Sequence, residues 1–234
     1  MYKGKKILAV IPARGGSKRI LQKNIVPVSG KPMIAWTIEA AKKSQYVDTI
    51  LVSTDCEVIK KVALEHGAEV PFMRLDAADD YSPVSEATLS SLYQSEEYYG
   101  PYETVLQLMP NCPLRGVRDI DSALEAFFEN NQESQISFFK YGWMNPWWAH
   151  TIENGFPTAL FKQAVINRSQ DLKDLYCPTG AVWISQSEIL KRCKTFYSPN
   201  YQAQIMNWIP AIDIDDYDDL EMAQALFNIR EGDL

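Results

Sequence analysis

The sequence predicts an α/β fold built on a mainly parallel sheet. Three observations point there: short apolar runs alternate with amphipathic segments, the first run ends in a glycine- and cation-rich loop, and a helical stripe closes the chain. The first run, residues 7–11, is continuously apolar, as expected of a strand covered on both faces. Ile34, Ile38 and Ala41 recur at helical spacing and predict the first helix. Residues 50–53 read as a second strand, followed by a helix carrying Ile59, Val62 and Ala63. Residues 104–109 read as a third strand, followed by a helix carrying Ile120, Leu124, Phe127 and Phe128. The rhythm breaks after Lys140. Residues 141–175 hold Pro146, Gly155, Pro157, Trp143, Trp147 and Trp148, and read as an excursion from a domain formed by 1–140 and 176–234. Its tryptophans suit either an intradomain core or a subunit interface, and both readings stand. Residues 181–185 return to the sheet, and Leu220, Ala223 and Phe227 mark one face of a final helix.

A chain of 234 residues is long enough for one large domain and its core. Its hydrophobic share of 46% and charged share of 23% are globular values. A net charge of −7 argues against a nucleic-acid surface, while leaving room for a local basic pocket. The apolar run near the start is too short to span a membrane and lacks the layout of a signal peptide. Cys56, Cys112, Cys177 and Cys193 form no C-x-x-C pair, so neither a zinc site nor a disulfide framework is expected, and a cytoplasmic setting is.

The loop Ala13-Arg14-Gly15-Gly16-Ser17-Lys18-Arg19 suits a polyphosphate. Glycines let backbone N–H groups approach oxyanions, Ser17 adds a donor, and Arg14, Lys18, Arg19 and Lys23 neutralise charge. The pattern is neither Walker A nor G-x-G-x-x-G. In Ile212-Asp213-Ile214-Asp215, an extended backbone sends both carboxylates to one face, the arrangement of a Mg²⁺ site. An acidic helix N-terminus is the competing reading; Asp216, Asp218 and Asp219 suit it directly. Asp55, at the end of the second strand, is read as a helix cap in preference to a ribose or cation ligand. Arg115, after Pro110-Asn111-Cys112-Pro113-Leu114, meets a phosphate or carboxylate, or faces solvent. His66 and His150 pair with no nucleophile, which leaves a covalent Ser or Cys mechanism without support.

These residues resemble the signature of the CMP-sialic-acid synthetase family, the acylneuraminate and related nonulosonate cytidylyltransferases. The likeness rests on Ile11-Pro12-Ala13-Arg14-Gly15-Gly16-Ser17-Lys18-Arg19 and Lys23-Asn24. It continues in order through Gly30-Lys31-Pro32-Met33-Ile34, Val52-Ser53-Thr54-Asp55, Gly67-Ala68-Glu69-Val70-Pro71-Phe72, Pro113-Leu114-Arg115, Gln170-Asp171, Gly180-Ala181 and Ile212-Asp213-Ile214-Asp215. The resemblance implies a Rossmann-like nucleotide-diphospho-sugar transferase fold, a homodimer, CTP as co-substrate and Mg²⁺ as cofactor. It implies that Arg14, Ser17, Lys23 and Asn24 hold the nucleotide, with Gly15, Gly16 and Lys18 shaping the loop. Arg74 and Ser82 would lie near the base, and Asp213 and Asp215 would carry the metal. Asn111, Arg115, Arg168, Gln170 and Asp171 would approach the sugar acid, with the excursion reaching over a partner's site. The implied catalytic group is Arg14, Lys23, Asp213 and Asp215.

The chain departs from the family pattern at three places. Met109-Pro110-Asn111-Cys112 stands where Gln-Pro-Thr-Ser is common, Ser169 where an arginine precedes Gln170, and Thr179-Gly180 where Asn-Gly is common. All three fall where the acceptor is expected, not the nucleotide. The implied reaction is transfer of CMP from CTP to the anomeric hydroxyl of a nonulosonic acid. A related enzyme for an eight-carbon 2-keto acid sugar, or a non-catalytic nucleotide-binding protein, is the alternative.

Overall fold

The computed structural model describes residues 1–74 and 84–232. In chain order the elements are β1 (Ile7–Pro12), β2 (Pro27–Val28), β3 (Lys31–Pro32), α1 (Met33–Lys43), β4 (Thr49–Ser53), α2 (Glu57–Glu65), α3 (Val84–Tyr99), β5 (Thr104–Gln107), α4 (Val117–Glu129) and β6 (Ser134–Lys140). Then come β7 (His150–Glu153), β8 (Phe156–Ala159), β9 (Tyr176–Gln186), α5 (Ser187–Cys193), β10 (Tyr201–Ile205) and α6 (Tyr217–Gly232). A six-stranded sheet runs in the order β10-β6-β9-β5-β1-β4. Its strands pair in parallel except β9, which is antiparallel to both β5 and β6.

Every residue of β1 is buried, because helices cover both faces of the sheet. Ile7, Ala9 and Ile11 point to one side, against Ile34 and Ile38 of α1, Ile59 of α2 and Ile120, Leu124 and Phe127 of α4. Leu8 and Val10 point to the other, against Leu89 and Leu92 of α3 and Leu190 of α5. A third apolar cluster joins Met33 to Ile212, Ile214, Leu220, Ala223 and Phe227, and docks α6 beside the end of the sheet. Each fully buried Ile, Leu or Phe in these clusters contributes about 1.5–3 kcal/mol.

The expected strands and helical stripes meet elements of the same type, except that the third strand ends at Gln107 and residues 108–109 lie beyond it. The structure adds β2, β3, α3, β6, β7, β8, α5 and β10. The buried side of α3 mixes Ser85, Thr88, Ser91 and Ser95 with Ala87, Leu89 and Leu92, which dilutes its apolar stripe. Ser91 and Ser95 donate within the helix to the Ala87 and Ser91 carbonyls, and Thr88 donates across to Gln107 Oε1 of β5 at 2.6 Å. β10 lies at the sheet edge and is mostly exposed, so it lacks a buried strand's composition.

Arg115 corrects an expectation. It does not face solvent; it is 2% exposed, in the core, and outside the cleft lining described below. Its guanidinium donates to the Met109 carbonyl at 3.2 Å, the Ala181 carbonyl at 2.8 Å and Thr37 Oγ1 at 2.6 Å. One cation therefore ties the segment after β5 to β9 and α1. Burial pushes its pKa down to about 10, partly opposed by Cys112 and Asp119, and leaves it charged at neutral pH. Truncation would strand these acceptors in the interior and leave a cavity. Arg115→Ala should lower unfolding free energy by about 2–4 kcal/mol, read as a drop in urea midpoint at unchanged slope; a loss below about 0.5 kcal/mol would contradict the structural role.

Candidate active site

The loop after β1 is fastened from three directions. Ala13 N–H donates to the Ser53 carbonyl at 2.9 Å, continuing the β1–β4 pairing. Gly15 N–H donates to Asp55 Oδ1 at 2.7 Å. Asn24, buried in the short turn after the loop, donates from Nδ2 to the Arg14 carbonyl at 2.8 Å. Asp55 is thus a loop fastener and not a helix cap; Cys56 holds the cap position of α2, without a side-chain capping bond. A Cβ on Gly15 would stand 2.9 Å from Cys56 Cβ, so the backbone passes α2 too closely for a side chain. Gly16 has open space at that point.

Opposite the loop, residues 212–215 follow the period-two alternation. Ile212 and Ile214 are buried, and Asp213 and Asp215 face a cleft of about 560 Å³. The segment is held by an Ile214 N–H bond to the Asn111 carbonyl at 2.8 Å. Asn111 Nδ2 donates to Asp213 Oδ1 and, at 3.3 Å, to the Ile214 carbonyl. Lys23 Nζ bridges the two walls, donating to Asp215 Oδ1 and the Ile214 carbonyl, both at 2.9 Å. Arg19 donates to the other Asp215 oxygen at 2.7 Å. At the start of α6, Asp219 accepts from Asp215 and Asp216 N–H groups, and Asp216 accepts from Asp219 N–H. Helix-end work and cleft work therefore fall to different aspartates of one acidic run.

The two cleft carboxylates are electrostatically unlike. Crowding by protein atoms, then the neighbouring Asp215 charge, push the Asp213 carboxyl up to about 6, although its side chain still reaches water at the cleft mouth. Burial also works against the Asp215 charge, but the bonded Lys23 ammonium and the Arg19 guanidinium outweigh it and hold that carboxyl below its usual range. Burial pushes the Cys112 thiol up and keeps it protonated, which disqualifies it as a nucleophile.

The cleft gathers Arg14, Ser17, Lys18, Lys23, Asn24, Asn111, Asp213 and Asp215 from the expected set. Arg74 is buried outside that lining; burial lowers its pKa, with Asp55 opposing and Arg14 adding to the effect, which sets it beside the loop. Its Nε finds no partner among the described residues. Ser82 lies outside the described residues. Arg168, Gln170 and Asp171 belong to the excursion, where Arg168 and Asp171 pair at 2.9 Å, and they do not line this chain's cleft. Arg115 is in the core, as described. Arg19, which the loop composition marks as a phosphate cation but the family resemblance does not include, also lines the cleft. Nothing local marked Asp55, whose role appears only through a contact 40 residues away.

The excursion hangs from β6 and β9, whose pairing runs out through Lys140 and Tyr176 to a Tyr141 N–H bond with the Leu175 carbonyl at 3.0 Å. Trp147 is half-buried, donating to the Lys173 carbonyl at 2.8 Å and meeting Phe161 edge-on. Trp143, Ile152, Phe156 and Ile166 are instead 82%, 73%, 75% and 86% exposed. The tryptophans thus divide between local packing and open surface. No helix among the described residues is long and apolar enough to cross a membrane.

Residues 8–203 match the family model described as Cytidylyltransferase. The chain is 32% identical over 226 residues to a pseudaminic acid cytidylyltransferase of Campylobacter jejuni, covering 96% of this chain and 97% of the relative. It is 33% identical over 231 residues to a CMP-N,N'-diacetyllegionaminic acid synthase of Legionella pneumophila, covering 97% and 98%. A solved CMP:2-keto-3-deoxy-manno-octonic acid synthetase complexed with CTP superposes with a TM-score of 0.71 at 17% identity, over 96% of this chain and 99% of that one, and shares the fold. The phosphate-type loop, the facing carboxylates and these full-length likenesses agree: the chain belongs to the cytidylyltransferase family.

Proposed function

We propose that the protein transfers CMP from CTP to the anomeric hydroxyl of a nonulosonic acid, releasing pyrophosphate. One observation carries the reading: a single cleft holds a glycine- and cation-rich loop on one wall and two carboxylates on the other. The names of the relatives support a nonulosonic acid as acceptor.

The acceptor hydroxyl gives up its proton to water in the cleft and attacks the α-phosphorus in line, the new P–O bond forms as the bond from the α-phosphorus to the oxygen bridging it to the β-phosphorus breaks, and pyrophosphate leaves. Arg14, Lys18 and Lys23 bind the phosphates and neutralise charge that shifts toward the leaving group. Ser17 and the loop N–H groups orient the triphosphate, while Asn24 keeps the loop in shape through the Arg14 carbonyl. Arg74 and Ser82 serve the base. The donor set of Asp213 and Asp215 fits Mg²⁺: hard carboxylate oxygens share one face, and Asn111 Oδ1 is buried beside them with no partner among the described residues. No cluster of three His, Cys, Asp or Glu suited to a metal occurs among the described residues, so phosphates and water would complete the coordination. The ion would supply Lewis-acid polarisation of the α-phosphate.

The exposed apolar side chains of the excursion suit a homodimer in which residues 141–175 pack on the partner and bring Arg168, Gln170 and Asp171 toward its sugar site. Dependence on CTP and four unpaired cysteines fit the cytoplasm.

The decisive assay is pyrophosphate release from CTP and Mg²⁺ with a panel of nonulosonic acids; release no greater than the acceptor-free background would sink the reading. Asp213→Asn and Asp215→Asn should each lower kcat by about 10²–10⁴-fold at unchanged melting behaviour, and near-native turnover at limiting Mg²⁺ would remove the metal assignment. Arg14→Ala should reduce kcat about tenfold or more with a smaller change in KM for CTP; a pure KM effect would restrict Arg14 to ground-state binding. Trp143→Ser combined with Ile166→Ser should shift sedimentation toward monomer and impair acceptor use more than CTP binding. A variant still dimeric at low micromolar concentration would assign those side chains no part in the interface.

A further inference from the structure

Where the cleft lining is open it is polar or charged, with one exception. Ile20 and Pro110 contribute to it but are buried, whereas Met109 is an apolar side chain left partly open to the cleft. Its position is fixed. Met109 N–H donates to the Gly180 carbonyl at 3.1 Å, and its own carbonyl accepts from Arg115 at 3.2 Å and Thr37 Oγ1 at 3.5 Å. The side chain crosses Gly180 so closely that a Cβ there would stand 2.6 Å from Met109 Cγ. Such a thioether is a defined apolar contact and not a loose filler.

The strand order says which ligand meets it. β1 and its loop lie between β4 and β5. Asp55 and Arg74 follow β4; Met109 and Asn111 follow β5, on the side of Asp213. On the functional reading above, on which this inference rests, the nucleotide takes the loop and the β4 side. The β5 side is left for the acceptor. The anomeric end of the acid must meet the α-phosphate among the polar groups, so a group farther along the acid reaches Met109.

We propose that Met109 is a specificity-determining residue that favours acceptor acids presenting a methyl group at this point over acids presenting a hydroxyl there. A methyl against the thioether buries apolar area and strands nothing polar. A hydroxyl gives up water and meets at most a weak sulfur acceptor. The methyl belongs to an N-acyl group or to a deoxy end of the polyol chain. Because apolar surfaces reject an added hydroxyl only weakly, the preference should be about 10–100-fold in kcat/KM.

Two substrate pairs separate the sources: N-acetyl- against N-glycolylneuraminic acid, and N-acetylneuraminic acid against its 9-deoxy analogue. Pyrophosphate release is measured for the wild type, Met109→Leu and Met109→Gln. At least one pair should favour the methyl compound about tenfold or more in the wild type. Met109→Leu should keep that ratio, and Met109→Gln should collapse it while KM for CTP holds within about twofold, an outcome that a purely structural role would not produce. Turnover with ratios below about threefold in both pairs, or ratios unchanged in Met109→Gln, overturns the assignment and leaves the cytidylyltransferase reading intact. Absence of turnover with these acids and with the whole nonulosonic acid panel above overturns that reading and this one together.

Discussion

The placement of both cleft carboxylates depends on the burial of Ile212 and Ile214. These side chains sit in the cluster that docks α6, and the extended backbone between them turns Asp213 and Asp215 the other way. A slip of one residue would put two charges into that cluster and two isoleucines into the cleft. Each isoleucine buries about 1.5–3 kcal/mol, and an unpaired buried carboxylate costs several more, so the register has no close competitor. Hydrogen bonds to Asn111 add direction to a choice that hydrophobic burial has already made.

The same economy of means appears around the sheet's carboxyl end. A doubly covered sheet leaves the strand ends as the accessible crevice, and the β1 and β5 loops open there. Backbone groups in those loops have lost their ladder partners and are satisfied by side chains: Asp55 for Gly15, Asn24 for Arg14, Arg115 for Met109. The loops are held as rigid surfaces, which is what positioning of a polyphosphate requires.

Much of this was legible in the sequence because its signals are local. The run 7–11, the stripes through Ile34 and Ile120, and the Asp213/Asp215 alternation each express a period that burial imposes over a few residues. Most of what escaped reading was encoded by distant partners. α3 is the exception: it buries serines beside Leu89 and Leu92, and bonds within the helix satisfy Ser91 and Ser95. Arg115 resembles a ligand cation until acceptors from two distant segments, Ala181 and Thr37, join the nearby Met109 carbonyl around it. Asp55 resembles a cap until the β1 loop arrives over it. The excursion's tryptophans carried two meanings at once, since Trp147 is packed locally and Trp143 is bare.

The antiparallel course of β9 has a consequence for how such a chain can diversify. Because β9 returns directly beside β6, the two strands form a ribbon whose far end carries residues 141–175, closed by the Tyr141–Leu175 bond. Insertions, deletions and substitutions beyond that bond change the length and chemistry of the tip without altering the register of any strand that bears the cleft. The loop and the carboxylates are tied to the core by buried isoleucines and side-chain bonds, so a change at the ribbon tip leaves the body that bears the cleft unaltered.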